Sequence, residues 1–292
     1  MIREEDFRAL AASLDRSRDW GDADELGALH FVTAAAVAAA VSEVTSGEVV
    51  SCADRGRGTL TAIETSVDAA GAWLAVNETV TFEQHGARSM THFDSLGHFF
   101  YEQRGHAGAS PSMREPAGVP RLDARPASRG IVGRGLLLDL PAIAGVAFLD
   151  RDRTVALEQV LGWLRRTGTA PREGDLLFVR TGRPLAPPPE PGGFPVVGGL
   201  DLDCARWVHD QRFSLVISDG GLDAARPVVE NVATPWHILA IARMGLSLVD
   251  MADLEALAAA CARRARHTFL AIVPVLPLAR ATASPVNPIA VL

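Results

Sequence analysis

The chain has no lysine: all 28 of its basic residues are arginine. That absence excludes Schiff-base catalysis, pyridoxal-phosphate attachment and the lysine of a phosphate-binding loop. Cysteine is nearly as scarce. Cys52, Cys204 and Cys261 stand far apart with no CxxC pair, which reads as buried thiols rather than a zinc cluster or a disulfide framework. No apolar run reaches the ~18 residues of a membrane span. The opening Met1-Ile2-Arg3-Glu4-Glu5-Asp6 carries charge where a signal peptide needs an apolar stretch. With a net charge of −7, the chain lacks the basic face that nucleic acid or anionic lipid demands. The expectation is a cytoplasmic protein acting on a small molecule. Two common catalytic devices are also missing. Ser218-Asp219-Gly220-Gly221 ends a strand pattern without a G-x-S-x-G elbow, and Gly105-His106-Ala107-Gly108 is followed by neither lysine nor a helix start.

What is present is a large apolar fraction, 48% of 292 residues, enough for a full core. Residues up to Ala28 are polar and read as an arm or lid that must dock to be ordered. Thr33 can cap a helix over Ala34 to Val44, closed by Gly47. Period-two or continuous apolar patterns predict strands at Val49–Ala53, Trp73–Phe82, Gly135–Leu140, Asp175–Arg180, Ser214–Ser218 and Thr268–Val275. Helical patterns fall at Val155–Arg166, Asp203–Asp210, Pro235–Met244 and Asp253–Arg266. Strands throughout and helices in the second half predict a mixed α/β domain. The stretch from Leu185 to Gly193, rich in Pro and Gly, reads as a long surface loop.

The chemistry concentrates in Ser89-Met90-Thr91-His92-Phe93-Asp94-Ser95-Leu96-Gly97-His98. In an extended chain side chains alternate, so His92 and Asp94 face one side. On a helix they would lie roughly 200° apart and could not grip one ion. Gly97 then breaks the strand and lets His98 swing back. Two imidazoles and a carboxylate suit a borderline divalent ion, zinc or manganese. Spacing alone leaves a polar loop with two surface histidines equally open. A second cluster pairs His237, in the first turn of a helix capped by Thr234 and opened by Pro235, with Asp250 at the end of the apolar Leu246–Val249. Taken alone, these two read as an ordinary helix-start histidine and a strand-ending aspartate.

Together these segments resemble the cyclase family that includes bacterial kynurenine formamidase and isatin hydrolase. Thr91, His92, Asp94 and His98 match its HxGTHxDxxxH signature. Trp20 to Gly27 resembles the WGxxDELG segment of the longer members. Gly174 to Gly182 resembles GDxxLxRTG, and Ser284 to Ala290 is a C-terminal SPVNPIA. The resemblance implies a three-layer β/β/α swivelling-type fold over residues 29–292, with residues 1–28 as the arm, and a homodimer or larger homo-oligomer. By position it implies His92, Asp94, His237 and Asp250 as metal ligands and His98 as the acid/base. Trp20, Phe99 and Tyr101 become candidates for the wall of a substrate pocket.

Three positions depart from the pattern. The first signature His falls on Arg88, which has no lone pair for a metal. Met90 replaces the Gly of GTH, and Asp250 stands where the family generally has Glu. A retracted carboxylate and a missing imidazole favour one ion over two, or none, with His85, His106 or Glu83 as replacement ligands. Arg88 could instead grip a substrate carboxylate or an oxyanion. The expected reaction is hydrolysis of an amide, cyclic amide or lactone, with His98 moving the proton. The alternatives are a metal-free cyclase, lyase or isomerase using Arg88 and His98, and a metabolite-binding homologue without activity.

Overall fold

In the computed structural model, residues 1–54, 59–67, 74–85, 89–188, 197–220 and 222–292 are described. Arg88, Trp73 and residues 189–193 of the Pro-rich loop lie outside them. In chain order the strands are β1 (Val49–Ser51), β2 (Thr59–Val67), β3 (Leu74–Thr81), β4 (His92–Asp94), β5 (Ile131–Asp139), β6 (Thr154–Val155) and β7 (Leu176–Arg180). They continue with β8 (Gly199–Leu200), β9 (Leu215–Ser218), β10 (Leu248–Asp250), β11 (Thr268–Val273), β12 (Ala283–Pro285) and β13 (Ile289–Val291). The helices are α1 (Glu4–Ser13), α2 (Ala34–Ala40), α3 (Leu140–Ala144), α4 (Leu157–Thr167), α5 (Ala205–Asp210), α6 (Pro235–His237) and α7 (Glu255–Arg264).

Nine strands form one sheet in the order β1-β13-β11-β5-β7-β9-β10-β4-β12. The centre, β5-β7-β9-β10, is parallel. Antiparallel strands extend it on both sides, while β2 and β3 pair separately as an antiparallel ribbon. Parallel strands are covered on both faces and therefore read as unbroken apolar runs; Leu176-Leu177-Phe178-Val179 is buried throughout. Alternation divides these side chains between two cores. Leu136, Leu138, Leu177, Val179, Val216 and Leu248 join one core with residues of α1, α4 and α5. Leu137, Leu176, Phe178, Ile217, Val249 and Phe93 join the other, against α7. The mixed α/β class expected from the pattern is the one observed.

Local differences have local causes. Thr33 does cap α2, its Oγ1 accepting from Ala36 N at 3.1 Å. The helix nevertheless ends at Ala40 and tightens into one 3₁₀ turn, Val41–Glu43, where Thr268 Oγ1 donates to the Glu43 carboxylate at 2.7 Å. Only the first turn of the predicted 235–244 helix is α. Ile238–Met244 winds as a π-helix and stops at left-handed Gly245. Its carbonyl, which accepts from Ala28 N at 2.7 Å, would lie 2.1 Å from a Cβ added at Gly27, so that position must be glycine. The polar start of the chain docks through α1, which buries Phe7 and Ala11, and through Arg16 N donating to Arg243 O at 2.8 Å. Among the described residues no helix is long and apolar enough to cross a membrane.

A candidate metal centre around Asp94

Strand β4 lies between β10 and β12, and the register fixes what faces what. His92 is opposite Asp250, and Asp94 is opposite Leu248. Directly paired residues share a face, so His92, Asp94 and Asp250 emerge on one side while Phe93 and Val249 pack on the other. The extended geometry expected for His92 and Asp94 is therefore present. The register sets Asp250, which stands where the family generally has Glu, directly against His92.

His237 arrives from the first turn of α6. Thr234, expected to cap this helix, makes no side-chain cap bond. Asp223 does so from another segment, accepting from Trp236 N at 2.7 Å and His237 N at 3.3 Å. The same carboxylate accepts from His237 Nδ1 at 2.5 Å, leaving Nε2 to face Asp250 Oδ2 at 3.1 Å and Asp94 Oδ2 at 3.9 Å. Asp223 carries no motif of its own that would mark it in the sequence. His98 follows a turn in which its N–H donates to Ser95 O at 3.1 Å and Gly97 N donates to Leu122 O at 2.9 Å. A Cβ at Gly97 would stand 2.8 Å from that carbonyl oxygen.

At the centre, both oxygens of Asp94 are buried and accept no hydrogen bond among the described residues. Facing Oδ1 are His85 Nδ1 at 3.1 Å and His92 Nε2 at 3.4 Å. His92 Nδ1 donates to Met90 O at 2.7 Å, so a neutral His92 turns a lone pair toward the carboxylate. Burial raises the pKa of Asp94, but His92 and His98 outweigh it and hold the group below the usual carboxylate range. Burial pushes His98 down to about 4, with Asp94 opposing. For His237 burial lowers the pKa, yet Asp223 and Asp250 overcome it and raise the group well above its ordinary value.

These donors fit a divalent cation. Two sets, His85–Asp94–His98 and Asp94–His237–Asp250, have ligand atoms all within 4.8 Å of one another and share Asp94. Uncompensated buried carboxylate oxygens are costly unless a cation or proton reaches them. Of the replacement ligands considered, His106 is taken by Asp24 at 2.6 Å and Glu83 is exposed; His85 enters the pocket.

The remaining candidates separate. Phe99 stands against His98 and His237, with ring centroids 4.7 and 4.9 Å away. Tyr101 packs on Phe7 and under the Arg243 guanidinium. Trp20 stacks on His30 and touches Phe31 and His106.

The sequence model of the cyclase family matches residues 31–223, more than half of the chain. Among solved structures, one described as a novel cyclase has a TM-score of 0.82 at 24% identity, covering 97% of this chain and 99% of that one. Isatin hydrolase A from Labrenzia aggregata, bound to benzyl benzoate, gives 0.55 at 18% identity over 86% of this chain and 96% of its own. Isatin hydrolase A from Ralstonia solanacearum gives 0.54 at 15%, over 83% and 91%. No curated protein matches significantly.

Proposed function

The chain belongs to the cyclase family, and on that premise we propose that it is a metal-dependent hydrolase of an amide, cyclic amide or lactone bond in a small molecule. The observation that carries the reading is the buried Asp94 carboxylate, which accepts no hydrogen bond among the described residues while imidazoles face both of its oxygens. Asp94, His237 and Asp250 would hold zinc or manganese, with His92 against the same carboxylate. When bound, such an ion supplies Lewis acidity, polarising a carbonyl and making water nucleophilic near neutral pH.

The protein side of the reaction falls to a few residues. Burial keeps the His98 imidazole neutral at neutral pH, so it can accept a proton from the attacking water and return it to the leaving nitrogen or oxygen. Asp223 holds the His237 ring in one orientation through Nδ1. Phe99, lying between His98 and His237, walls the reacting space with an apolar face. Arg88 is assigned the grip on a substrate carboxylate or the developing oxyanion. Ring closure, the reverse reaction, would use the same groups.

The test combines metal analysis of the purified protein with turnover of a panel of N-formyl amides, cyclic amides and lactones. Isatin, a cyclic amide, is a rational first member, since two similar folds are isatin hydrolases. Activity should disappear on exhaustive chelation, return with zinc or manganese, and be absent in Asp94→Asn. Undiminished turnover by the chelated protein would remove the metal from the reading.

A further inference from the structure

The position where the family signature carries its first histidine is Arg88 in this chain, and an arginine has no lone pair to give. The structure offers a substitute three residues earlier. We propose that His85 is a metal ligand of this protein, its Nδ1 and Asp94 Oδ1 jointly holding a divalent cation beside His98. This rests on the metal-dependent reading above, and it names a ligand that the signature does not predict.

The placement of His85 against Asp94 points to a shared ion. His85 Nδ1 and Asp94 Oδ1 are 3.1 Å apart, close enough for a charge-assisted hydrogen bond. Both atoms are buried and neither has a satisfactory hydrogen-bond partner among the described residues, while Nε2 on the other edge of the ring lies 3.3 Å from Thr282 Oγ1. Two buried ligand atoms left open side by side suit a cation, and His85, Asp94 and His98 offer ligand atoms within 4.8 Å of one another. Two donors each ~2.0–2.2 Å from one tetrahedral zinc ion stand roughly 3.3–3.6 Å apart, so the pair needs to open by only a few tenths of an ångström to share one.

The surroundings hold His85 for that task. Its backbone is left-handed, φ +62°, a conformation that costs a non-glycine residue energy and tends to persist where a site requires it. Thr282 is a firm post, because its carbonyl accepts from both Ser95 N at 2.9 Å and Ser95 Oγ at 3.0 Å. On the opposite face His85 stacks on His98, with centroids 3.7 Å apart and planes 14° from parallel. The stack fixes the plane of the His85 ring beside His98.

The experiment measures zinc and manganese stoichiometry and affinity on the full chain. The proteins compared are wild type, His85→Ala, His85→Gln, His98→Ala, Thr282→Val and the double variant His85→Ala/Arg88→His. Circular dichroism checks folding, and His85→Gln guards against collapse of the alanine variant. Loss of His85 should weaken binding by at least about tenfold and lower the stoichiometry, while His98→Ala keeps its metal. Thr282→Val should weaken binding less, and placing His at 88 should restore part of what His85→Ala lost. A folded His85 variant with wild-type stoichiometry and affinity overturns the proposal and leaves the metal-dependent reading standing. A wild-type protein that takes up neither metal overturns both.

Discussion

Asp94 and Asp219 are buried alike and treated in opposite ways. Asp219, just beyond β9, accepts from Thr181 N at 2.7 Å, Thr181 Oγ1 at 2.6 Å and Gly182 N at 2.8 Å. Arg183 closes the cluster by donating to the Asp219 carbonyl, to Asp54 and to Ala252 O. Every lone pair that matters there has a partner, and the group ties the ends of β7 and β9 together. Asp94, one strand beyond β10, has imidazoles around it and accepts no hydrogen bond among the described residues. Burial alone therefore says nothing about purpose. Satisfaction separates a carboxylate that builds the fold from one that is kept open for a ligand.

The sharpest way to break this contrast is to neutralise each carboxylate in turn. Asp219→Ala leaves three buried donors unpaired and should lower the unfolding free energy by about 3 kcal/mol or more, seen in denaturant melts. Asp94→Asn should abolish metal uptake and turnover, yet cost the chelated protein less stability than Asp219→Ala, because it leaves no comparable set of buried donors unpaired. If Asp94→Asn unfolds like Asp219→Ala, the two sites are of one kind. Next comes His98→Ala, expected to cut kcat by about 10²–10⁴-fold with metal content retained; metal loss instead would make it a ligand. Asp223→Asn should cost roughly 10–100-fold in metal affinity, measured by competition with a chelator, because the His237 ring loses its anchor.

The smallest effect concerns pH. Since the folded pKa of His237 is raised, its stabilising contribution is complete below the unfolded value near 6.5. It fades as pH climbs through the folded value. The chelated protein should accordingly melt at lower temperature as pH rises above ~6.5. Metal-loaded protein should show the reverse slope, because the cation competes with that same proton. Melting curves recorded with and without chelator across this range decide it; parallel slopes would detach His237 from the metal.

What was legible in the sequence follows from how local each signal is. The facing of His92 and Asp94 needed only strand alternation, and β7, β9, α4 and α7 announce themselves by composition and period. The π-helix after His237 was not legible, since the apolar 235–244 stretch fits an α-helix equally well. Asp223 sits between Gly220-Gly221-Leu222 and Ala224-Ala225-Arg226-Pro227 with nothing local to mark it; only folding brings it to the start of α6. Strand β2 was also missed. His85 stood in view, but its approach to Asp94 depends on a left-handed backbone that no side-chain pattern encodes.

The coil from Ile238 to Met244 sets the angular phase between two donors that no strand pairing relates. A π-helix is an α-helix with a residue to spare, so the segment behaves like a shim. Removing one residue there would let the coil return to ordinary pitch with the residues downstream nearly in phase, because the wider turn is what absorbs the extra residue. Removing two would turn everything downstream by about 100°, and Asp250 would no longer meet His237. The first deletion should keep its metal and the second lose it with far-UV dichroism nearly intact; equal metal in both would mean the seven residues are mere filler.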